Sequence, residues 1–258
     1  MQNNEYEIFK GNILKLTKID LSSYKERQMK RRIDSLIKRN NYDNYDGYYK
    51  ALTQNSKLYD EFINYLTINV SEFYRNPGQW EILTNDIIPM ILQNNKKPKI
   101  WSAACSTGEE PYSLVMLMSK FMNLNNINII ASDIDDGAIA KAKKGIYMEK
   151  SLANLPKNFI NSFFEKSGDN YKIKDEVKKC VDFKHHNLLN DHYPDNCDLI
   201  ICRNVMIYFT EEAKSVMYSK FRDSLCNHGI LFVGSTEQII LPQRYKLEPH
   251  RTFFYRKG

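Results

Sequence analysis

Residues Lys99 to Leu114 read KIWSAACSTGEEPYSL, and this stretch decides the fold. A short apolar run, Ile100 to Ala103, meets a Thr107-Gly108 turn, and a helix opens on Glu109, Glu110 and Pro111. Strand, glycine turn and helix in that order form the mouth of a nucleotide-type pocket. Glycine lets the backbone come close to a ligand, Pro111 suits a first helical turn, and a carboxylate there can accept hydrogen bonds from ribose hydroxyls. The stretch lacks G-x-x-x-x-G-K-[ST] and sets two acids where a polyphosphate would meet the helix. The pocket therefore suits a cationic cofactor carrying a ribose, and not a phosphate cradle.

Outward from this stretch the texture repeats. A helix bearing Trp80, Leu83, Ile87 and Ile91 precedes it, and strand-like runs follow at Ile127 to Ser132, Asp198 to Cys202 and Ile230 to Gly234. Helical stretches at about 109 to 124, 135 to 144 and 211 to 226 separate them. Alternating strand and helix predicts an α/β domain with a mostly parallel sheet that binds ligands at the carboxyl ends of its strands. Between about 155 and 185 the alternation lapses into a short helix (Pro156 to Phe164), a turn at Ser167 to Asn170 and alternating runs at Tyr171 to Lys174 and Cys180 to Lys184. These predict a small antiparallel appendage. Lys246 to Arg256 reads as a closing strand.

Before Thr67 the period is helical, with Tyr6, Phe9, Ile13 and Leu16 on one face and Leu58, Phe62 and Leu66 on another. Ser22 or Ser23 is the predicted cap of the helix between them, and Asn40-Asn41 its stop. That helix carries the charge of the chain. Residues 25 to 39, KERQMKRRIDSLIKR, hold seven Lys/Arg against two Asp/Glu, in a chain of net charge +6. Such a face suits an acidic partner.

The chain has 258 residues, 17 of them Tyr and 13 Phe, enough apolar material for an ordered core. Five cysteines without C-x-x-C spacing point to buried reduced thiols, with neither a disulfide framework nor a zinc cluster. No apolar leader opens the N-terminus, and no run approaches a membrane span. A cytoplasmic protein with no membrane insertion is expected.

Four further segments stand out at strand ends: NVSEFYR at 69 to 75, SDID at 132 to 135, HNLL at 186 to 189 and CRNVMIYF at 202 to 209. With SAACSTGEEPYS, and with VGSTEQ at 233 to 238, they closely resemble the bacterial chemotaxis receptor methyltransferases along essentially the whole chain. The resemblance implies a Rossmann-like S-adenosylmethionine-dependent methyltransferase fold with a small antiparallel β-subdomain, preceded by an all-α domain. It divides the chain into a helical docking domain at 1–66, a linker and helix covering the cofactor at 67–90, and the methyltransferase domain at 91–258. The β-subdomain falls at about 155–185.

The implied activity is methyl esterification of particular glutamates of methyl-accepting chemotaxis receptors, giving S-adenosylhomocysteine. Carried over by motif, Ala103 and Glu109 contact the cofactor, Asp133 holds its ribose, and Asn187 and Leu188 flank its adenine. Arg203 and Asn204 lie under its methionine part, and Asn69, Ser71 and Arg75 cover it. Arg75 and Tyr208 face the transferred methyl. Asp133 also follows Gly108 by 25 residues, close to the roughly 20 of a ribose-binding acid. Lys25, Arg27, Lys30, Arg31 and Arg32 are implied to dock on the acidic helical bundle of the receptor. Glu110, His185 and His186 read as structural.

Compared with the family's pattern, the first loop reads A-A-C-S-T-G in place of G-x-G-x-G, and Val70, Ser71 and Tyr74 stand where relatives often carry Leu, Thr and Phe. The turn at Ser167 to Asn170 is short beside members that grip a receptor tail peptide, and no such tethering is expected. Two other functions compete. A nucleic-acid methyltransferase would share the sheet and use the basic helix, but CRNVMIYF stands in place of the N/D-P-P-Y/F loop that positions a base, so no nucleic acid is expected as substrate. A non-catalytic docking module would be expected to lose Glu109, Asp133 or Arg75, and all are present.

Overall fold

The computed structural model describes residues 2–258, and Met1 lies outside them. The chain forms two units, one taking in the chain up to Asn69 together with Val205–Met217, the other Val70–Asn204 with Tyr218–Gly258.

The first unit holds helices α1 (Gln2–Thr17), α2 (Glu26–Arg39), α3 (Tyr45–Gln54) and α4 (Ser56–Thr67). Apolar residues three and four apart turn one face of each inward: Tyr6, Phe9 and Ile13; Met29, Ile33, Leu36 and Ile37; Tyr45, Tyr48 and Leu52; Leu58, Phe62, Ile63 and Leu66. Phe9 sits at their centre, 5.0 Å from the Tyr45 ring and 6.3 Å edge-on from Phe62. Asn44 and Asn55 cap α3 and α4 through their side-chain oxygens, which accept from Gly47 N at 2.8 Å and Leu58 N at 3.2 Å. At α2 the cap differs from the predicted serine. Lys25 occupies the N-cap without a side-chain bond, because Ser22 and Ser23 are drawn into a 3-10 turn held by Asp20, which accepts from Ser22 N at 2.9 Å. Asn40-Asn41 does stop α2, with Asn41 at φ 60°. The 206–210 segment closes on this turn: Lys25 N donates to Tyr208 O at 2.8 Å, Thr210 N to Ser23 O at 2.9 Å, and the Tyr24 and Phe209 rings lie 4.7 Å apart.

The second unit is built on a sheet. In chain order it contains α5 (Pro77–Ile82), α6 (Ile88–Asn94), β1 (Ile100–Ala103), α7 (Glu109–Met118), β2 (Ile129–Asp133), α8 (Asp136–Lys144), β3 (Ile146–Met148), α9 (Lys157–Phe163), β4 (Phe164–Ser167), β5 (Asn170–Ile173), α10 (Asp175–Lys178), β6 (Val181–His185) and β7 (Cys197–Cys202). Then follow α11 (Glu211–Ser224), within which the division of units falls, β8 (Leu225–Val233), β9 (Leu247–Arg251) and β10 (Phe254–Lys257). Seven strands form one sheet in the order β6-β2-β1-β7-β8-β10-β9. All pairs from β6 to β8 are parallel, and β10 is antiparallel to both neighbours. Central β1 is buried at every position, as a strand covered on both faces must be. Helix α7 is buried from Pro111 to Met118, the mark of a helix packed all round. Trp80, Leu83, Ile87 and Ile91 also turn into the core. Between α5 and α6 the turn widens so that Ile88 N reaches Leu83 O, beside Pro89, which has no N–H to give.

Two expectations are corrected here. The run at 180 to 184 does not join the appendage: as β6 it is the parallel edge of the main sheet, pairing with β2 from Ile129↔Val181 to Asp133↔His185. Its alternating charges, Asp182 and Lys184, belong to a sheet edge facing water. The appendage is instead a three-stranded antiparallel sheet, β3-β5-β4, whose outer strands are too short to stand out. The closing strand is also a hairpin of two, β9 and β10, turning at Phe253 with φ 69°. Pro249 sits in the edge strand β9, where its missing N–H is harmless.

Candidate active site

Because β6, β2, β1 and β7 run parallel, their carboxyl ends lie along one edge of the sheet. Ala103 ends β1, Asp133 ends β2, Asn187 and Leu188 follow β6, and Arg203 and Asn204 follow β7. Glu109 opens α7. The strand order reverses between β1 and β7, where open α/β sheets leave a crevice for ligands.

The loop after β1 is tightly held. Ala104 and Ser106 adopt φ of 60° and 48°, and Gly108 adopts 95°. A Cβ on Gly108 would lie 2.8 Å from Ala142 Cβ and 3.0 Å from the Tyr147 hydroxyl, so only glycine fits. The Tyr147 hydroxyl donates to Thr107 O at 2.7 Å, tying β3 to this loop. Asp133 holds the other side: its Oδ2 accepts from Ser106 N at 2.8 Å and its Oδ1 from Asp135 N at 3.0 Å. Burial pushes its carboxyl up to about 6, against the pull of these N–H donors. Glu109, also buried, accepts from the Thr107 hydroxyl at 2.7 Å and from the Ser71 hydroxyl, and burial raises its carboxyl. Ser71 thus ties the segment before α5 to the start of α7.

That segment is fixed through its backbone. Tyr74 N donates to Ser113 Oγ at 3.2 Å, and Arg75 O accepts from Trp80 Nε1 at 3.0 Å and from Arg203 at 2.7 Å. The same nitrogen of Arg203 reaches Asn76 Oδ1 at 3.1 Å and Gln79 Oε1 at 2.8 Å, while its other terminal nitrogen faces Glu110 at 3.5 Å. Glu110 also accepts from the Ser102 hydroxyl at 2.8 Å. Burial pulls Arg203 down and pushes Glu110 up, and their pairing opposes both shifts. Arg203 Nε and Gln79 Nε2 remain buried without a hydrogen-bond partner. Arg75 itself is half-buried, its guanidinium donating to Val70 O at 3.2 Å.

Asn204 stands at φ 61° because Glu237 holds it. Glu237 Oε2 accepts from Asn204 N at 2.6 Å and Gly234 N at 2.8 Å, in a turn that a Cβ on Gly234 would enter at 2.3 Å from that oxygen. Asn187 folds its own loop: its N–H donates to Asp191 Oδ2 at 2.8 Å and its Oδ1 accepts from Leu189 N at 3.0 Å. Asn69 and Tyr208 belong to the helical unit, where Asn69 Nδ2 donates to Thr67 Oγ1 at 3.1 Å. On α2, Arg27 and Arg31 are exposed and line a shallow groove with Lys38. Lys25 is half-exposed at the cap. Lys30 pairs with Asp34 at 3.1 Å, and Arg32 donates to Tyr65 O with its guanidinium 4.5 Å from the Tyr65 ring.

Glu110, which reads as structural in the sequence, is the partner of Arg203. Within VGSTEQ the signal for Glu237 is a glycine followed three residues later by an acid, which lets the side chain fold back on the turn. Tyr147 and Gln79 carry no local signal. Among the described residues no group of His, Cys, Asp and Glu could hold a metal ion, the five cysteines are free, and no helix is long and apolar enough to cross a membrane.

Two family models match consecutive parts of the chain. The CheR methyltransferase all-alpha domain matches residues 4–67, and the CheR methyltransferase SAM binding domain matches residues 69–254. A protein of Listeria innocua named chemotaxis protein methyltransferase is 43% identical over 240 residues, covering 93% of this chain and 92% of its own. Its namesake in Listeria monocytogenes is 42% identical over the same shares, and that of Borreliella burgdorferi 34% identical over 251 residues, 88% of each chain.

Proposed function

The chain belongs to the chemotaxis protein methyltransferase family and is an S-adenosylmethionine-dependent methyltransferase, and from that premise we propose that it methyl-esterifies glutamate side chains of chemotaxis receptors. The crevice fits the cofactor. Gly108 leaves room at the backbone, Asp133 and Glu109 offer buried acceptors for hydroxyl or ammonium groups, and the partnerless Arg203 Nε and Gln79 Nε2 offer donors suited to a carboxylate. On this reading Ala103, Glu109, Asp133, Asn187, Leu188, Arg203 and Asn204 hold the cofactor, with Asn69, Ser71 and Arg75 over it.

When bound, the cofactor supplies an electrophilic methyl, which a carboxylate oxygen takes while the carbon–sulfur pair stays on sulfur. A glutamate side chain, with an ordinary pKa near 4.3, is already ionised at neutral pH, so the protein needs no general base. Its task is alignment, which can supply roughly 7–11 kcal/mol of a barrier. The observation that carries the reading is Arg75: its carbonyl is pinned from two sides, while its guanidinium makes one bond to a backbone oxygen and keeps donors for an incoming carboxylate. Tyr208, whose carbonyl anchors it to the start of α2, contributes a hydroxyl hydrogen bond to the same carboxylate. Arg75→Ala should cut turnover of bound complex far more than S-adenosylhomocysteine affinity, with Tyr208→Phe acting in the same sense. Loss of affinity with normal turnover would remove this assignment.

The exposed basic groups of α2 support docking on an acidic helical bundle, and the two-residue Gly168-Asp169 turn between β4 and β5 supports a reading without tail-peptide tethering. Incubation with tritiated cofactor, receptor-containing membranes and RNA, side by side, tests the whole. Base-labile label on the receptors, released as methanol, is the expected result; label on RNA alone would favour the nucleic-acid reading.

A further inference from the structure

We propose that Lys220 is a positioning residue for adenine recognition, gathering the carbonyls of the loop after β6 and so fixing the backbone beside the cofactor's base; the proposal rests on the reading that Asn187 and Leu188 flank the adenine. Lys220 lies on α11, far from this loop in sequence, yet its Nζ donates to Leu188 O at 3.2 Å, Leu189 O at 3.4 Å and Asp191 O at 2.8 Å. An ammonium carries three rotatable donors that can splay from one nitrogen toward three acceptors, whereas the donors of a guanidinium are fixed in a planar fork. The Tyr193 hydroxyl donates to the same Leu188 O at 2.8 Å, and Lys220 Nζ lies 4.2 Å from the centre of the Tyr193 ring. Trp101 and Phe221 pack on that ring at 5.0 and 4.9 Å, so the clamp stands on rigid core. Burial draws the ammonium down from its ordinary range, and the nearby Asp191 carboxylate opposes this.

The loop's own bonds, Asn187 N to Asp191 and Leu189 N to Asn187, close it locally. They do not attach it to the rest of the unit. His186 N, donating to Asp133 O at 2.8 Å, ties its start to β2, and Lys220 and Tyr193 add the attachment that acts on the carbonyl of Leu188 itself.

Calorimetry with two ligands tests this. S-adenosylhomocysteine carries the base and S-ribosylhomocysteine lacks it. For Lys220→Met the expected result is a Kd for S-adenosylhomocysteine raised about tenfold or more, the loss of roughly one good charge-assisted hydrogen bond. The Kd for S-ribosylhomocysteine should stay at the wild-type value. Lys220→Arg should restore part of the loss. Equal weakening of both ligands would make Lys220 a general stabiliser and overturn the proposal, as would unchanged affinity for S-adenosylhomocysteine. Should Lys220→Met not fold, Lys220→Arg carries the test, with a smaller loss confined to the base-bearing ligand as the expected result and no loss as the contrary one. A wild-type protein that binds both ligands equally would instead remove the adenine assignment of Asn187 and Leu188, and the role of Lys220 with it.

Discussion

Asp133 is the residue whose environment predicts most. Its carboxyl, raised to about 6 by burial, binds more protons in the folded than in the unfolded chain between its ordinary value and 6. Stability of the ligand-free protein is therefore present at low pH and declines as pH rises through that window. Ligand binding runs the other way, because ribose hydroxyls donate to the ionised carboxylate. S-adenosylhomocysteine affinity should be level above about pH 6 and fall below it. Asp133→Asn should bind weakly and without this pH dependence, and a wild-type affinity that is flat across pH 5 to 7 would remove Asp133 from the ribose role. Gly108 gives a second test at this scale. Gly108→Ala forces a Cβ against Ala142 at a φ of 95°, and urea denaturation should show a loss of about 2 kcal/mol or more.

At the level of elements, what fixes the crevice is a set of clamps between loops. Glu237 serves two N–H groups, one buried and one partly buried, so Glu237→Ala leaves both unpaired and should lower stability by about 1–3 kcal/mol, while Glu237→Gln, which keeps an acceptor oxygen, should lose less. Equal losses in chemical denaturation would contradict the clamp. Such devices were hidden in the sequence for a physical reason. Strands β1, β2, β7 and β8 announce themselves by apolar runs, and the glycine turn before α7 by composition, so the parallel sheet and the places where its loops begin were legible. The edge strand β6 was legible as a strand but not as a member of the sheet, because alternation also describes a free-standing hairpin. β3 and β4 are too short to show a period. Arg203–Glu110, Lys220–Leu188 and Tyr147–Thr107 join residues far apart in the chain, and no local pattern encodes them.

For the molecule as a whole, the uneven charge of the sequence becomes a specific face of α2. Arg27, Arg31 and Lys38 are exposed along one groove, while Arg32 is spent inside the helical unit on Tyr65. Reversing Arg27, Arg31 and Lys38 to Glu should raise KM for receptor membranes and flatten its salt dependence, with S-adenosylhomocysteine affinity unchanged. A KM that stays at the wild-type value would place docking elsewhere. The central claim is that the cofactor lies in the crevice at the carboxyl ends of β1, β2, β6 and β7. A crystal grown with S-adenosylhomocysteine tests it most directly: the account predicts ribose hydroxyls on the Asp133 carboxylate and adenine beside Asn187 and Leu188, and ligand bound at any other place would contradict it.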